Sequence, residues 1–216
     1  MEKPHGLERM IFFSDAVIAI MLTLLALELP VPEGDTATAL WESLSEHGAA
    51  YLAFGISFAV IAATWVAHHM LFTHVHRADP PLITLNLLAL LAYVLVPWAS
   101  KTLAESTGGA GVALYSAVMA FLGLSMLLVL RHVRRAGLLG PETPAAVIGG
   151  IRAWTVTTML MFALTIPAAF LFGRPVMFVW PVVYLGLRLT AVLYTRQGRR
   201  ATVEEHVEKR VEKHVE

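Results

Sequence analysis

Arg9-Met10-Ile11-Phe12-Phe13-Ser14-Asp15-Ala16-Val17-Ile18-Ala19-Ile20 opens a run that continues through Met21-Leu22-Thr23-Leu24-Leu25-Ala26-Leu27-Glu28-Leu29 and stops at Pro30, Pro32 and Gly34. Between Arg9 and Glu28 its only charged residue is Asp15. A helix of this length crosses a hydrocarbon core, which takes about 20 apolar residues. Lys3 and Arg9 precede the run as they would a signal peptide. Ser14 and Asp15 lie near its start, however, no small-x-small cleavage site follows, and more apolar runs come after it, so a retained helix is expected.

Working outward, the same pattern recurs. Further apolar segments are expected over about Ala49–His76, Leu82–Leu103, Val112–Leu130, Gly150–Phe172 and Pro175–Tyr194, with a polar loop carrying Glu33, Asp35, Glu42 and Glu46 after the first. Asp79-Pro80-Pro81, Gly108-Gly109-Ala110-Gly111 and Gly173-Arg174-Pro175 punctuate them, because proline cannot continue a helix and glycine releases the backbone. Of the 216 residues, 57 % are hydrophobic and 15 % charged. A soluble domain carries nearer a quarter charged residues. The expectation is therefore an all-α membrane protein with six transmembrane helices over residues 1–200, followed by a charged helical tail over 201–216.

Charge placement orients it. The total is balanced, 16 basic against 16 acidic residues, and nothing marks the chain as a nucleic-acid binder. With the N-terminus inside, thirteen Lys and Arg fall on the inner side, among them Lys3, Arg9, Arg77, Arg131, Arg134, Arg135 and Arg152. Only Lys101 and Arg174 fall outside, and Arg188 lies within the sixth segment. Basic residues stay in the cytoplasm, so both termini are expected there. The tail repeats Val-Glu-x-x from Val203 onward, which suits a solvated helix or one that pairs with its own copies. The chain has no cysteine, which excludes disulfides and thiolate metal sites.

A carboxylate at the centre of a span costs on the order of 2.5–3.5 kcal/mol on insertion scales. Asp15 therefore needs partners, and Trp65, His68, His69 and Asn86 in the next two segments are hydrogen-bond donors at a similar depth. They predict a polar knot joining segments one to three near the inner leaflet, either purely structural or moving protons or ions. On a helical wheel Phe13, Ala16, Ile20, Thr23, Leu24 and Leu27 share one face and Asp15 lies on another. Taken alone, such a stripe more often serves packing or lipid contact than a pore wall. His68, His69, His74 and His76 superficially resemble a di-iron cluster. Such a centre needs several boxes with carboxylates facing it, and only one cluster exists, so no metal or cofactor is expected. A scaffold without transport is the remaining class.

The residues also bring a family into view. Arg9, then Phe13-Ser14-Asp15, resembles the Arg-x-x-x-Phe-Ser-Asp signature of the transmembrane protein 175 family, prokaryotic potassium channels related to the lysosomal potassium channel of animals. The likeness continues in Thr23-Leu-Leu-Ala-Leu27-Glu28, Trp65-Val-Ala-His68-His69, Arg77-Ala-Asp79-Pro80, Asn86 and Pro97, and departs at Ala16, where many relatives have glycine. The resemblance implies a homotetramer in a prokaryotic plasma membrane and no enzymatic activity. Segment one of each subunit would line a central pore. Ile20, Leu24 and Leu27 would form apolar gating rings, and Thr23 would carry cation selectivity, with potassium passing transiently beside it. Arg9, Phe13, Ser14, Asp15, Trp65, His68 or His69, and Asn86 would anchor the pore helix. No Thr-Val-Gly-Tyr-Gly filter is present, so modest potassium-over-sodium selectivity is expected. Glu28, Glu33 and Asp35 would gather cations at the outer mouth. A proton-conducting pathway through Asp15 and the histidines is the alternative.

Overall fold

The computed structural model describes residues 5–184 and Gly186. The Asp79-Pro80-Pro81 break is the start of a helix as well as the end of a loop. Asp79 is extended and its carboxylate accepts the Leu82 amide at 2.8 Å, while Pro80 and Pro81 occupy the first turn, where no backbone donor is needed. The long helices are α1 (His5–Leu27), α3 (Gly48–Thr73), α4 (Pro80–Glu105), α5 (Gly109–Arg135) and α6 (Ala145–Phe172). All five are long and apolar enough to cross a membrane.

The polar loop after the first span contains a further helix, α2 (Ala37–Glu46). Thr36 caps it by accepting the Ala39 amide at 3.2 Å. Its ten residues are too short to cross a bilayer and none of its side chains is buried. The expected sixth span begins instead as a short 3-10 turn, Arg174–Phe178, with helical backbone resuming over 179–184. Its remainder, apart from Gly186, lies outside the described residues, as does the tail over 201–216.

The chain divides at Val176 into two compact units, and the first holds all five long helices. Within it α5 packs against α4 on one side and α6 on the other, while α1 lies against α3 and α4. Glycines let α5 and α6 close up: a Cβ added at Gly123 would stand 2.7 Å from that of Met159, and one at Gly109 would collide with the Ala169 carbonyl. Gly173, at φ +71°, ends α6 in a conformation that side chains other than glycine disfavour.

One end of this unit is closed around a shared apolar core. Leu7, Leu71, Phe72, Leu82, Val129, Val133 and Ile151 form a core shared by five helices at the end where the 74–79 and 136–144 connections meet. There His76 donates its amide to the Leu138 carbonyl, and Gly140 donates to that of His74, both at 3.0 Å. His132 Nε2 reaches both Asp79 carboxylate oxygens at 2.9 Å. Desolvation opposes ionisation of Asp79, but the Leu82 amide and His132 outweigh it, and the carboxyl titrates below its ordinary value. At the opposite end Lys101 pairs with Glu28 at 3.0 Å, Tyr51 donates to the Pro30 carbonyl at 3.0 Å, and Arg174 donates to that of Ala104 at 3.3 Å.

Candidate functional site

Helix α1 has two faces, and spacing decides which residue falls on which. Leu7, Met10, Ser14, Ile18, Met21 and Leu25 recur every three or four positions and are buried against α3 and α4. The opposite face stays uncovered by its own chain. Phe13, Ala16, Ile20, Thr23, Leu24 and Leu27 are all exposed on it, Ile20 at 53 % and Leu27 at 78 %. In a bilayer such a surface meets either lipid or other copies of the chain.

The buried face is held by hydrogen bonds. Asn86 of α4 donates its Nδ2 to Ser14 Oγ at 2.8 Å, and Ser14 in turn donates to the Met10 carbonyl one turn back, also at 2.8 Å. His68 Nε2 of α3 lies 3.0 Å from Asn86 Oδ1, so it carries the hydrogen in that bond. Ser14, Asn86 and His68 are each at most 1 % exposed. This relay joins three helices through one amide, using both the donor and the acceptor that asparagine offers. Nδ1 of His68 is buried without a partner among the described residues, while the ring lies 4.3 Å from that of Phe72.

Asp15 stands apart from this relay. Its carboxylate accepts Trp65 Nε1 at 2.9 Å, a bond of its own on the flank of the helix. The single knot expected from sequence is therefore two ties: the relay, which reaches both α3 and α4, and the Asp15–Trp65 bond, which reaches α3 alone. The relay uses His68; His69 is exposed, and its ring lies against that of Trp65, with centroids 5.5 Å apart. Arg9 is exposed and forms no ion pair among the described residues, so its expected place in the network is not where its side chain lies. Phe13, also expected there, sits on the exposed stripe instead. Glu28 is bound to Lys101, which offsets the charge it was expected to bring to the outer mouth.

The remaining histidines do not converge. His74 Nδ1 binds the Met70 carbonyl of its own helix, and His132 binds Asp79. Among the described residues no three of His, Asp and Glu come together as metal ligands would. Two ties escaped the sequence reading: the Asp79–His132 pair, and a buried chain in which Ser57 donates to Ser100 at 3.0 Å and lies 3.0 Å from the Tyr115 hydroxyl. Serine and tyrosine are common in apolar runs. Ser57 alone stands clear of other polar side chains, between Tyr51 and Thr64; Ser100 adjoins Lys101 and Tyr115 adjoins Ser116, so nothing in the sequence singles those two out.

Residues 9–97 match the family model described as endosomal/lysosomal potassium channel TMEM175. A Streptomyces collinus protein named as a potassium channel is 37 % identical over 164 residues, spanning 73 % of this chain and 80 % of its own. The bovine protein named endosomal/lysosomal proton channel TMEM175 is 39 % identical over 98 residues, which are 42 % of this chain and 20 % of its own. Among solved structures, a potassium-selective TMEM175 homologue from Chamaesiphon minutus superposes with a TM-score of 0.66 at 28 % identity, covering 86 % of this chain and 98 % of the other.

Proposed function

This chain belongs to the TMEM175 family, multi-pass membrane channels and not enzymes, and from that premise we propose that it forms a potassium-permeable pore in the plasma membrane, as a homotetramer with α1 of each subunit at the axis and both termini in the cytoplasm. The observation that carries this reading is the division of α1: its polar groups are tied down behind, and its apolar stripe is left uncovered. Symmetric copies bring that stripe together around an axis. The ties to α3 and α4 then hold the pore wall from outside the conduit.

Rings of Ile20, Leu24 and Leu27 make a constriction that excludes water when narrow and conducts when slightly widened. Thr23 lies between them in sequence and on the same exposed face. Its hydroxyl donates to the Ile20 carbonyl at 2.7 Å, so its hydrogen is engaged on its own helix and its oxygen lone pairs stay available to a cation. One hydroxyl per subunit cannot replace a full hydration shell, which supports selectivity that is modest rather than high. Glu33 and Asp35 remain as acidic groups near the outer mouth.

A proton path is the second reading. It is favoured by the bovine relative's printed name and by the partnerless Nδ1 of His68. Yet His68 lies on the buried side of α1, away from the stripe, so a proton passing through it would take a route separate from the pore. Purified protein in liposomes under opposed potassium and pH gradients tests both. The expected reversal potential follows potassium, and size analysis in detergent is expected to give four subunits. A current that follows only the proton gradient would reject the potassium reading.

A further inference from the structure

At the end of the molecule that the basic residues assign to the cytoplasm, α5 and α6 enclose a groove of about 550 Å³ that the pore does not use. Three arginines of α5, Arg131, Arg134 and Arg135, meet Arg152 of α6 in its wall. Positions 131, 134 and 135 share one side of a helix by spacing, and Arg152 faces them from an antiparallel neighbour. The floor is apolar. Leu127 lies one turn before Arg131, and Val156 one turn after Arg152, so both lead deeper along their helices.

Four guanidinium groups this close repel one another unless an anion sits among them. Two ion pairs form among the described residues, Lys101 with Glu28 and His132 with Asp79, and neither involves these arginines. All four are exposed, so no protein carboxylate has displaced their hydration. We propose that this groove binds the phosphate headgroup of an anionic phospholipid from the inner leaflet, with its acyl chain along Leu127 and Val156.

The chemistry favours phosphate because guanidinium presents paired donors that match its oxygens two at a time. The arrangement favours a lipid over free phosphate because the charged mouth continues into an apolar floor, matching an amphiphile end to end. A basic pocket between transmembrane helices on the cytoplasmic side is where headgroups of this kind meet both requirements.

Native mass spectrometry of the full-length chain in detergent, titrated with phosphatidylglycerol or phosphatidylcholine, tests the assignment. Phosphatidylglycerol is expected to bind in preference to phosphatidylcholine. Arg134→Gln with Arg152→Gln is expected to weaken it about 25-fold, at about 5-fold per arginine. Arg134→Lys with Arg152→Lys keeps the charge but not the paired donors, and is expected to bind more weakly than the native chain and more tightly than the double glutamine variant; Arg77→Gln, an exposed basic residue outside the groove, leaves binding unchanged. Should the double glutamine variant lose its native size in detergent, Arg152→Gln alone serves, with about a 5-fold loss expected. Equal binding of the two lipids, or full binding by the glutamine variants, would overturn the proposal. So would displacement of the lipid by inorganic phosphate, which would make the site one for the free anion. Lipid binding only after truncation at Arg200 would mean that the acidic tail occupies the groove, and would overturn it equally.

Discussion

At the scale of single residues, α1 gives opposite jobs to side chains less than two turns apart. Ile20 faces away from its own subunit and Ser14 faces into it. Ile20→Asn puts an amide where the constriction excludes water, and it is expected to raise potassium flux in liposomes; unchanged flux would place Ile20 outside the path. Asn86→Leu has a different signature. It strands His68 Nε2, at about 1–3 kcal/mol for the orphaned donor, while Ser14 Oγ loses the Asn86 donor and keeps its bond to the Met10 carbonyl. Lower thermal stability in detergent is expected, with ion preference unaltered in whatever protein assembles; a shift in preference without loss of stability would put Asn86 in the conduit. Asp79 supplies a pH dependence with a definite sign. Its folded carboxyl titrates below the ordinary value of about 3.9. The stabilisation is therefore present above that pH and lost as the pH falls through the lower folded value. Asp79→Asn, which can still cap α4, should flatten the melting temperature against pH in the acid range. An undiminished acid slope in that variant would remove Asp79 from the cause.

At the scale of elements, the five long helices were legible because length and apolarity suffice to mark a span, and prolines and glycines mark its ends. Helix α2 leaves no mark in the hydropathy, since Thr36 capping is a local hydrogen bond that hydropathy does not register. The second apolar segment reaches His76 in sequence, whereas α3 ends at Thr73 and the next residues pair with the 138–140 connection. That pairing joins residues more than sixty positions apart, and no periodicity announces it. The site was legible in kind but not in wiring. A carboxylate within a span demanded a donor, yet which donor it met depended on helix rotation, so Asp15 took Trp65 while Asn86 took Ser14. Helix packing offers its own test. Gly123 touches Met159 so closely that Gly123→Leu must push α5 from α6, at about 1–3 kcal/mol for overpacking. A lower melting temperature is expected, and an unchanged one would contradict the close approach.

At the scale of the whole molecule, a single chain cannot close a pore, because the stripe on α1 has nothing opposite it within its own subunit. The central claim is that copies of the chain supply the missing wall. The absence of any native cysteine makes this directly measurable, since an introduced one is the only thiol present. Ile20→Cys in protein reconstituted into liposomes can be treated with a charged, water-soluble methanethiosulfonate reagent while potassium flux is followed. Leu164→Cys serves as the comparison, an exposed position on α6 that the account leaves to lipid. The expected result is modification at Ile20→Cys that changes the flux and is slowed by permeant potassium, with no effect at Leu164→Cys. If Ile20→Cys were as inert as Leu164→Cys in protein that still conducts, α1 would face lipid and the pore would have to be sought elsewhere.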